Sequence, residues 1–274
     1  MGAIVKEGQY AIQHVVREAS SVESARPLRL LPNREAPVED FRAAATRASE
    51  ISQQFELAAL WRELASGAVT AADAFCSDDR CFVVTRATPP GVSAPAVLSA
   101  RNLHLVQRVL LGVQQKVVAI ELGVSASCVA GTISLCAGAM GLGCTASRMP
   151  TLVLMAVRAH VENMPPVLAC SAQFRFEGNS YRVVSAQRPV PGPWLALSPA
   201  EREVVTLLVE RCTTAEIATL RHTSNRTVAN QLGSVMNKLG ARGRLEVVSR
   251  VIEGACRSRP AGDVENEEPA PSAG

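Results

Sequence analysis

Residues 197–244, LSPAEREVVTLLVERCTTAEIATLRHTSNRTVANQLGSVMNKLGARGR, decide the fold of this 274-residue chain. Ser198–Glu201 (SPAE) and Thr213–Glu216 (TTAE) are capping boxes, so a helix begins at each. Ser224 can cap a third helix, and a fourth follows Gly243. The third helix carries an apolar stripe at spacings of four, three and four residues: Val228, Leu232, Val235 and Leu239. The stretch therefore predicts four short helices around one core.

The second and third helices form a helix-turn-helix pattern, because a short helix, a tight turn near His222 and a longer helix follow one another. In this pattern the third helix of the unit enters the major groove of DNA by its N-terminal residues. Its outward side chains can pair with base edges or hold phosphates. They are Asn225, Arg226, Ala229, Asn230, Gly233, Asn237 and Lys238, with Thr227 and Gln231 near the edges. A solvated helix face favours the same residue types, so the pattern leaves that alternative open.

A degenerate copy of this region lies 99 residues upstream. Each copy has a predicted β-hairpin, a Pro-rich connector and a cluster of helices. Upstream, three extra residues precede Arg148, the partner of Arg244. The matched pairs include Phe75 with Phe174, Phe82 with Tyr181, Val84 with Val183, Ser125 with Ser224, Val129 with Val228 and Gly141 with Gly240. We therefore expect a mainly α fold with small β-hairpins (α+β), built from two tandem hairpin-plus-four-helix modules.

The predicted domain organisation follows from these patterns. Residues 1–37 cannot be placed in a core, and residues 38–67 are predicted as one amphipathic helix. Residues 68–165, hereafter the upstream module, hold the degenerate copy, and residues 166–257, the downstream module, hold the second copy with helices over about 198–255. The acidic, Pro-rich residues 258–274 are expected to be a disordered tail.

The two modules differ in charge. Between Val117 and Ser147 the sequence has no Lys or Arg, whereas the matching downstream residues 216–246 have five. Each lost phosphate contact weakens nucleic-acid binding. We therefore expect the upstream module to serve packing, dimerisation or regulation, with a second DNA reader as the alternative.

Several separate motifs of the downstream module resemble the LuxR/NarL (GerE-like) class of bacterial regulators. They are LSPAEREVV, EIA, S-x-R-T-V and N-K-L-G-A-R-G-R, which cover about 55 residues in the order and spacing of that class. The resemblance implies a DNA-binding transcriptional regulator that acts on double-stranded DNA as a homodimer, with RNA polymerase as a further candidate partner. It also implies DNA contacts at Arg226, Thr227, Asn230, Gln231 and Lys238, and a dimer face on the fourth helix. Together with the outward positions, the candidate DNA-binding residues are Asn225, Arg226, Thr227, Ala229, Asn230, Gln231, Gly233, Ser234, Lys238, Arg242 and Arg244, and the candidate dimer residues are Leu245, Val248 and Ile252.

The sequence departs from that class at three positions. Arg221 stands where the class has Leu, with Leu220 one place early, which predicts a rotated or differently packed second helix. Ala229 replaces a usual Lys, and Gly233 occupies another position that often reads bases. We therefore expect phosphate anchoring and DNA shape to contribute more than direct base readout. A protein-interaction module that kept the fold without DNA affinity is the alternative function.

Composition narrows the remaining classes. The net charge is only +3, so local charge must carry any nucleic-acid argument. The eight cysteines show no zinc spacing, which favours reduced intracellular thiols and, with no signal-peptide core, a cytoplasmic protein. The family resemblance implies that it is bacterial. Leu122–Ser147 lacks charge but is too weakly apolar to predict a membrane span. No P-loop, HExxH, GxSxG or GxGxxG motif occurs, so neither an enzyme nor a cofactor is expected.

Overall fold

A computed structural model describes residues 35–77, 79–93, 95–162, 168–192 and 196–257 of the chain. The expectation for the tail, residues 258–274, therefore lies outside the described residues. The expectation for residues 1–37 also lies outside them, except at residues 35–37. Contacts divide the chain into a unit of residues 1–42 and a unit of residues 43–274. The folded elements discussed below belong to the second unit, and helix α1 runs across the boundary.

The described helices are α1 (Glu35–Glu50), α2 (Leu57–Ala65), α3 (Ala100–Leu110), α4 (Gln115–Leu122), α5 (Ala126–Ala139), α6 (Thr151–Val161), α7 (Pro199–Val209), α8 (Thr214–Leu220), α9 (Asn225–Leu239) and α10 (Arg244–Arg257). The strands are β1 (Gln53–Phe55), β2 (Val69–Cys76), β3 (Arg80–Ala87), β4 (Ala169–Phe176) and β5 (Asn179–Gln187). Short 3-10 turns at Ala96–Leu98 and Ala146–Arg148 precede α3 and α6. The fold is thus mixed helix and sheet with a C-terminal helix-turn-helix.

The prediction of a single helix over residues 38–67 is wrong, because this segment contains part of α1, then strand β1 and then helix α2. Residues 53–55 are extended since they pair with β4, Gln53 opposite Ser171 and Phe55 opposite Ala169. The guanidinium of Arg182 lies 5.3 Å from the centre of the Phe55 ring and covers it. Tertiary pairing thus overrides the helical periodicity of the sequence at this point. Helix α2 then buries an apolar face of its own: Leu57, Leu60, Trp61 and Leu64.

The two predicted hairpins and strand β1 form one antiparallel sheet of five strands in the order β1-β4-β5-β3-β2. The joint is the pairing of β3 with β5, in which Val84 faces Val183 and Val83 faces Val184. All four of these valines are fully buried. Sequence periodicity predicts each hairpin but not their partner, because edge strands carry no local signal for the strand that pairs with them.

In each half of the chain four helices follow a hairpin in the same order: α3–α6 after β2 and β3, and α7–α10 after β4 and β5. Ser99 and Ser198 cap α3 and α7 through the amides of Asn102 and Glu201. Ser125 caps α5 through the amide of Cys128 in the same manner. A Ser, Thr, Asn or Asp oxygen at this position satisfies an amide that otherwise lacks a partner in the first helical turn.

The two halves also agree in local geometry at positions 99 residues apart. Left-handed backbone occurs at Gly112 and Arg211, at Gly123 and His222, and at Gly141 and Gly240. Across the hairpins, Phe75 stacks on Phe82 with ring centres 4.8 Å apart, and Phe174 stacks on Tyr181 at 5.6 Å. Such agreement in unusual backbone conformations is more specific than agreement in residue type.

No single described helix is long and apolar enough to cross a membrane, although α4 and α5 together pass that test as a pair bent by 108°. The described cysteines are free thiols. Within the same residues no group of three His, Cys, Asp or Glu side chains could hold a metal ion.

Candidate nucleic-acid interface

The helix-turn-helix consists of α8, a turn and α9. Thr213 and Glu216 form the predicted capping box at the start of α8, in which each side chain bonds the other residue's amide. His222 adopts the left-handed backbone that turns the chain, with φ 51°. Ser224 then caps α9, accepting from the amide of Thr227 at 3.0 Å. On the inner side of α9 Val228, Leu232 and Val235 are buried, as their spacing predicts.

The opposite side of the first half of α9 is exposed. We call it the groove face: Asn225, Arg226, Thr227, Ala229 and Asn230, all exposed. Thr227 shares a hydroxyl hydrogen bond of 2.9 Å with Ser224. Among the described residues the side chains of Arg226 and Asn230 have no partner within the chain. These groups are therefore available to a ligand without first breaking an internal contact.

The second half of α9 is tied to α7 by Glu201. The Glu201 carboxylate accepts from Lys238 Nζ at 2.6 Å, from Ser234 Oγ at 2.7 Å and from the Ser198 amide at 2.7 Å. Lys238, then Ser234 and Ser198, hold the pKa of Glu201 down at about 2. The candidate phosphate ligands Lys238 and Ser234 thus have a second role, because they fix α9 against α7. The Lys238 side chain remains 40 % exposed.

The surroundings of Arg221 show how the second helix, α8, accommodates an Arg where the LuxR/NarL class has Leu. Its side chain is only 9 % exposed and pairs with Glu203 at 2.9 Å. It also donates to Gln231 Oε1 at 2.5 Å. Leu220, by contrast, points outward. The polar side chain replaces an apolar one by binding α7 and α9, and it engages the candidate contact residue Gln231.

Arg242 and Arg244 lie in different surroundings. Arg242 is exposed, and its backbone amide donates to Glu246. Arg244 is half-buried and donates to Thr214 Oγ1 at 2.7 Å and to the Cys212 carbonyl, and burial lowers its pKa. Arg244 therefore positions the start of α8, while Arg242 offers its charge to solvent. Gly233 is half-exposed, with open space around the position of a Cβ atom.

The face of α5 that matches the groove face is uncharged. Ser127 and Gly131 occupy the places of Arg226 and Asn230, and both are exposed. Two large apolar side chains are also exposed there, Ile120 at 71 % and Leu135 at 57 %. Here α4, a turn with left-handed backbone at Gly123 and the longer α5 follow one another, and residues 117–147 contain no Lys or Arg that would hold a polyanion.

The candidate dimer residues lie inside this chain. Val248 is 6 % and Ile252 2 % exposed, and Leu245 is half-buried. Leu245 and Val248 line a small cleft together with Met149, Thr151 and Leu154 from the upstream module. The fourth helix is therefore covered by its own chain.

Sequence reasoning missed two charged residues that organise these contacts. The sequence predicts Glu201 as a capping residue but does not indicate its bonds to α9. Arg158 is 3 % exposed and binds Glu253 at 2.8 Å, Glu162 at 2.9 Å and the Ser249 hydroxyl. The available signal was a lone Arg within the apolar helix TLVLMAVRAHV, since a buried charge needs partners.

Comparisons with known proteins agree with this geometry. Residues 195–251 match the model of the luxR family of bacterial regulatory proteins. Over 56 residues the chain is 43 % identical to the spore germination protein GerE of Bacillus subtilis (strain 168), which is 20 % of this chain and 76 % of that protein. Over 58 residues it is 41 % identical to the probable HTH-type transcriptional regulator GfsR of Streptomyces halstedii, covering 21 % of this chain and 24 % of that protein. No solved structure gave a significant match.

Proposed function

We propose that this chain, which belongs to the luxR family of bacterial regulatory proteins and is a DNA-binding transcriptional regulator, reads its target with the groove face of α9. One observation carries the proposal. Arg226 and Asn230 are exposed on the first half of α9, and their side chains have no partner among the described residues.

The groove face has the chemistry for base readout. Arg226 can donate two parallel hydrogen bonds to guanine, and Asn230 can pair with adenine. Ala229, between them, offers only a methyl group, which suits a thymine methyl. Since Gly233 adds no side chain further along α9, base contacts are concentrated in the first two turns of the helix.

Phosphate contacts supplement this short reading surface. Arg242 is exposed just before α10, and Lys238 keeps 40 % of its side chain exposed while paired with Glu201. Because neutralising phosphates releases counterions, such contacts add affinity that does not depend on sequence. The DNA target therefore supplies shape and charge as well as base edges.

The upstream module is proposed to be a diverged second copy of the downstream one. The support is the shared element order, the three pairs of left-handed residues 99 positions apart and the equivalent stacked ring pairs. The copy keeps the helix-turn-helix backbone but lacks its cations.

RNA polymerase is a proposed partner, because a regulator alters transcription through the recruitment or access of the polymerase. A bacterial DNA target also implies a cytoplasmic location.

The test is DNA selection followed by titration. Duplexes are selected from a random pool with the full chain, and affinity is measured by fluorescence anisotropy for Arg226→Ala and Asn230→Ala. A base contact costs about 1–3 kcal/mol when it is removed, and selection with the variant chain should relax one base position. Arg86→Ala, an exposed Arg on β3, is the matched control and should leave affinity unchanged.

The alternative is a protein-interaction module without DNA affinity. Steep weakening of binding as salt rises supports the regulator, whereas no binding at low salt supports the alternative. Unchanged affinity in both α9 variants would refute the assignment of the reading surface.

A further inference from the structure

The two halves of the sheet are related by a local two-fold axis. In the pairing of β3 with β5, Val84 faces Val183, its own equivalent at the 99-residue offset. On either side, Val83 faces Val184 and Thr85 faces Arg182. These two flanking pairs are symmetric counterparts, because position 83 is equivalent to 182 and position 85 to 184. Two identical chains form the same pattern across a two-fold axis.

Contacts between the helices are reciprocal in the same sense. From the upstream module, Thr151 at the start of α6 bonds the Val209 carbonyl at the end of α7, with a hydroxyl donor at 2.5 Å. From the downstream module, Ser249 of α10 bonds the carbonyl of Leu111 just after α3, at 3.3 Å. Each module's last helix therefore packs on the end of the other module's first helix.

A buried polar network closes this interface. Arg158 of α6 binds Glu253 and Ser249 of α10, and it is 3 % exposed. Beside this network Val248 and Ile252 are buried. A buried guanidinium that is fully partnered across two helices fixes their register, because any shift would leave its charge unpaired. The surface of α10 is thus occupied by residues of the same chain.

We propose that the upstream module takes the place of a second subunit, so that one chain binds DNA as an internal pseudo-dimer with one reading head and one uncharged head. This inference rests on the proposed function, and it replaces the homodimer expected from the sequence. The reading head is α9, and the uncharged head is α5, where Ser127, Gly131 and Ala139 stand in the places of Arg226, Asn230 and Lys238. The target is accordingly duplex DNA that is specified on one half-site only.

The first experiment counts chains. Sedimentation equilibrium should give a single chain of 29.0 kDa for the free protein. With a duplex selected from a random pool by the full chain, it should give one chain per duplex. Two chains in either state would overturn the proposal. A single free chain that binds no DNA at low salt would instead refute the proposed function, while it would support the covering of α10 by the upstream module.

The second experiment restores charge to the uncharged head. Ser127→Arg adds a cation at the position equivalent to Arg226, on an exposed site of α5 that should tolerate it. If this head lies over DNA, the slope of log affinity against log salt steepens by about 0.9 for the added phosphate contact. The matched control is Ser180→Arg, which adds the same group at an exposed site of β5 outside both helix-turn-helix units. Equal slopes for the two variants would overturn the placement of the uncharged head on DNA.

Discussion

Lys238 and Glu201 form an ion pair of 2.6 Å that joins the end of the proposed reading helix to the first turn of α7. The pair links stability to the surface that we propose for DNA, because the same ammonium group faces both the carboxylate and the solvent. Ser234 completes the arrangement by donating to the other oxygen of Glu201.

Replacing Glu201 with Gln should destabilise the chain by about 1–3 kcal/mol at pH 7, because a charged acceptor of three hydrogen bonds is lost. The folded pKa of Glu201 is about 2 against an ordinary value of 4.5, so ionised Glu201 contributes stability above pH 4.5. This contribution is lost as the pH falls from 4.5 towards 2. Urea unfolding of wild type and variant at several pH values measures the difference, which should shrink over that range. Glu50→Gln, an exposed site, is the control, and a gap independent of pH would contradict the assignment.

Arg242 and Arg244 should separate into a binding and a structural residue, although both were predicted as DNA contacts. Arg242→Ala should flatten the salt dependence of DNA affinity by about 0.9 in slope without changing stability, because this side chain is exposed. Arg244→Ala should lower the free energy of unfolding by about 1–3 kcal/mol, since Thr214 and the Cys212 carbonyl lose their donor. Anisotropy titrations and urea unfolding of both variants check this division. The reverse pattern would exclude it.

Arg158→Ala should destabilise the interface between α6 and α10. It removes a buried guanidinium and leaves the buried Ser249 hydroxyl and the partly exposed Glu253 without their donor, a loss of about 1–3 kcal/mol. Arg62→Ala is the control, because its pair with Glu56 is exposed to solvent and should contribute much less to stability. Equal effects in denaturant unfolding would show that the interface does not depend on Arg158.

Gly141 and Gly240 provide a matched pair for backbone strain, with φ of 77° and 60° at equivalent positions. A Cβ atom at Gly240 meets open space, whereas at Gly141 it would lie 2.3 Å from the Ala71 carbonyl oxygen. Gly240→Ala should therefore cost only the left-handed penalty, about 1–2 kcal/mol. Gly141→Ala should cost clearly more, because the backbone of β2 must also move. Thermal and urea unfolding measure the stability of both variants. Similar losses of stability would contradict the close approach of position 141 to the Ala71 carbonyl oxygen.

Cys76 should react with iodoacetamide faster than Cys81 or Cys136. The neighbouring Cys81 thiol, 2.9 Å away, lowers the pKa of Cys76, while burial raises the pKa of Cys136 to about 11. A hydrogen bond to Cys76, with burial, raises the pKa of Cys81. Because the thiolate is the reactive form, labelling near pH 8 followed by peptide mass spectrometry should show Cys76 modified before the other two thiols. Preferential labelling of Cys136 would contradict it.

Local signals in the sequence predicted the local structure. The capping boxes at Ser198 and Thr213 and the stripe through Val228 and Val235 fixed α7, α8 and α9, because caps and periodicity act within one or two turns. The same reasoning failed between residues 51 and 56, where pairing with β4 imposes a strand. It also could not predict the union of the two hairpins, since the partner of β3 lies about 100 residues away.

The candidate site was predicted in part for a similar reason. The exposure of Asn225, Arg226 and Asn230 follows from the helical period and agrees with the structure. The engagement of Lys238, Gln231 and Arg244 with the rest of the chain does not follow from it, because those contacts depend on how helices cross. Their roles in DNA binding stay predictions.

The pairing of Val84 with Val183 within a single polypeptide has an evolutionary consequence. In an assembly of two identical chains every substitution is made twice, so a change that weakens one contact weakens its symmetric counterpart as well. In the pseudo-dimer proposed above, both strands are encoded in one gene and each half can change alone. Residues 117–147 can then contain no Lys or Arg, while residues 216–246 contain five. The pairing of β3 with β5 also does not depend on protein concentration, since both strands belong to the same chain. The occupancy of a DNA site should then rise with the first power of the amount of protein, without the threshold that a dissociating pair imposes.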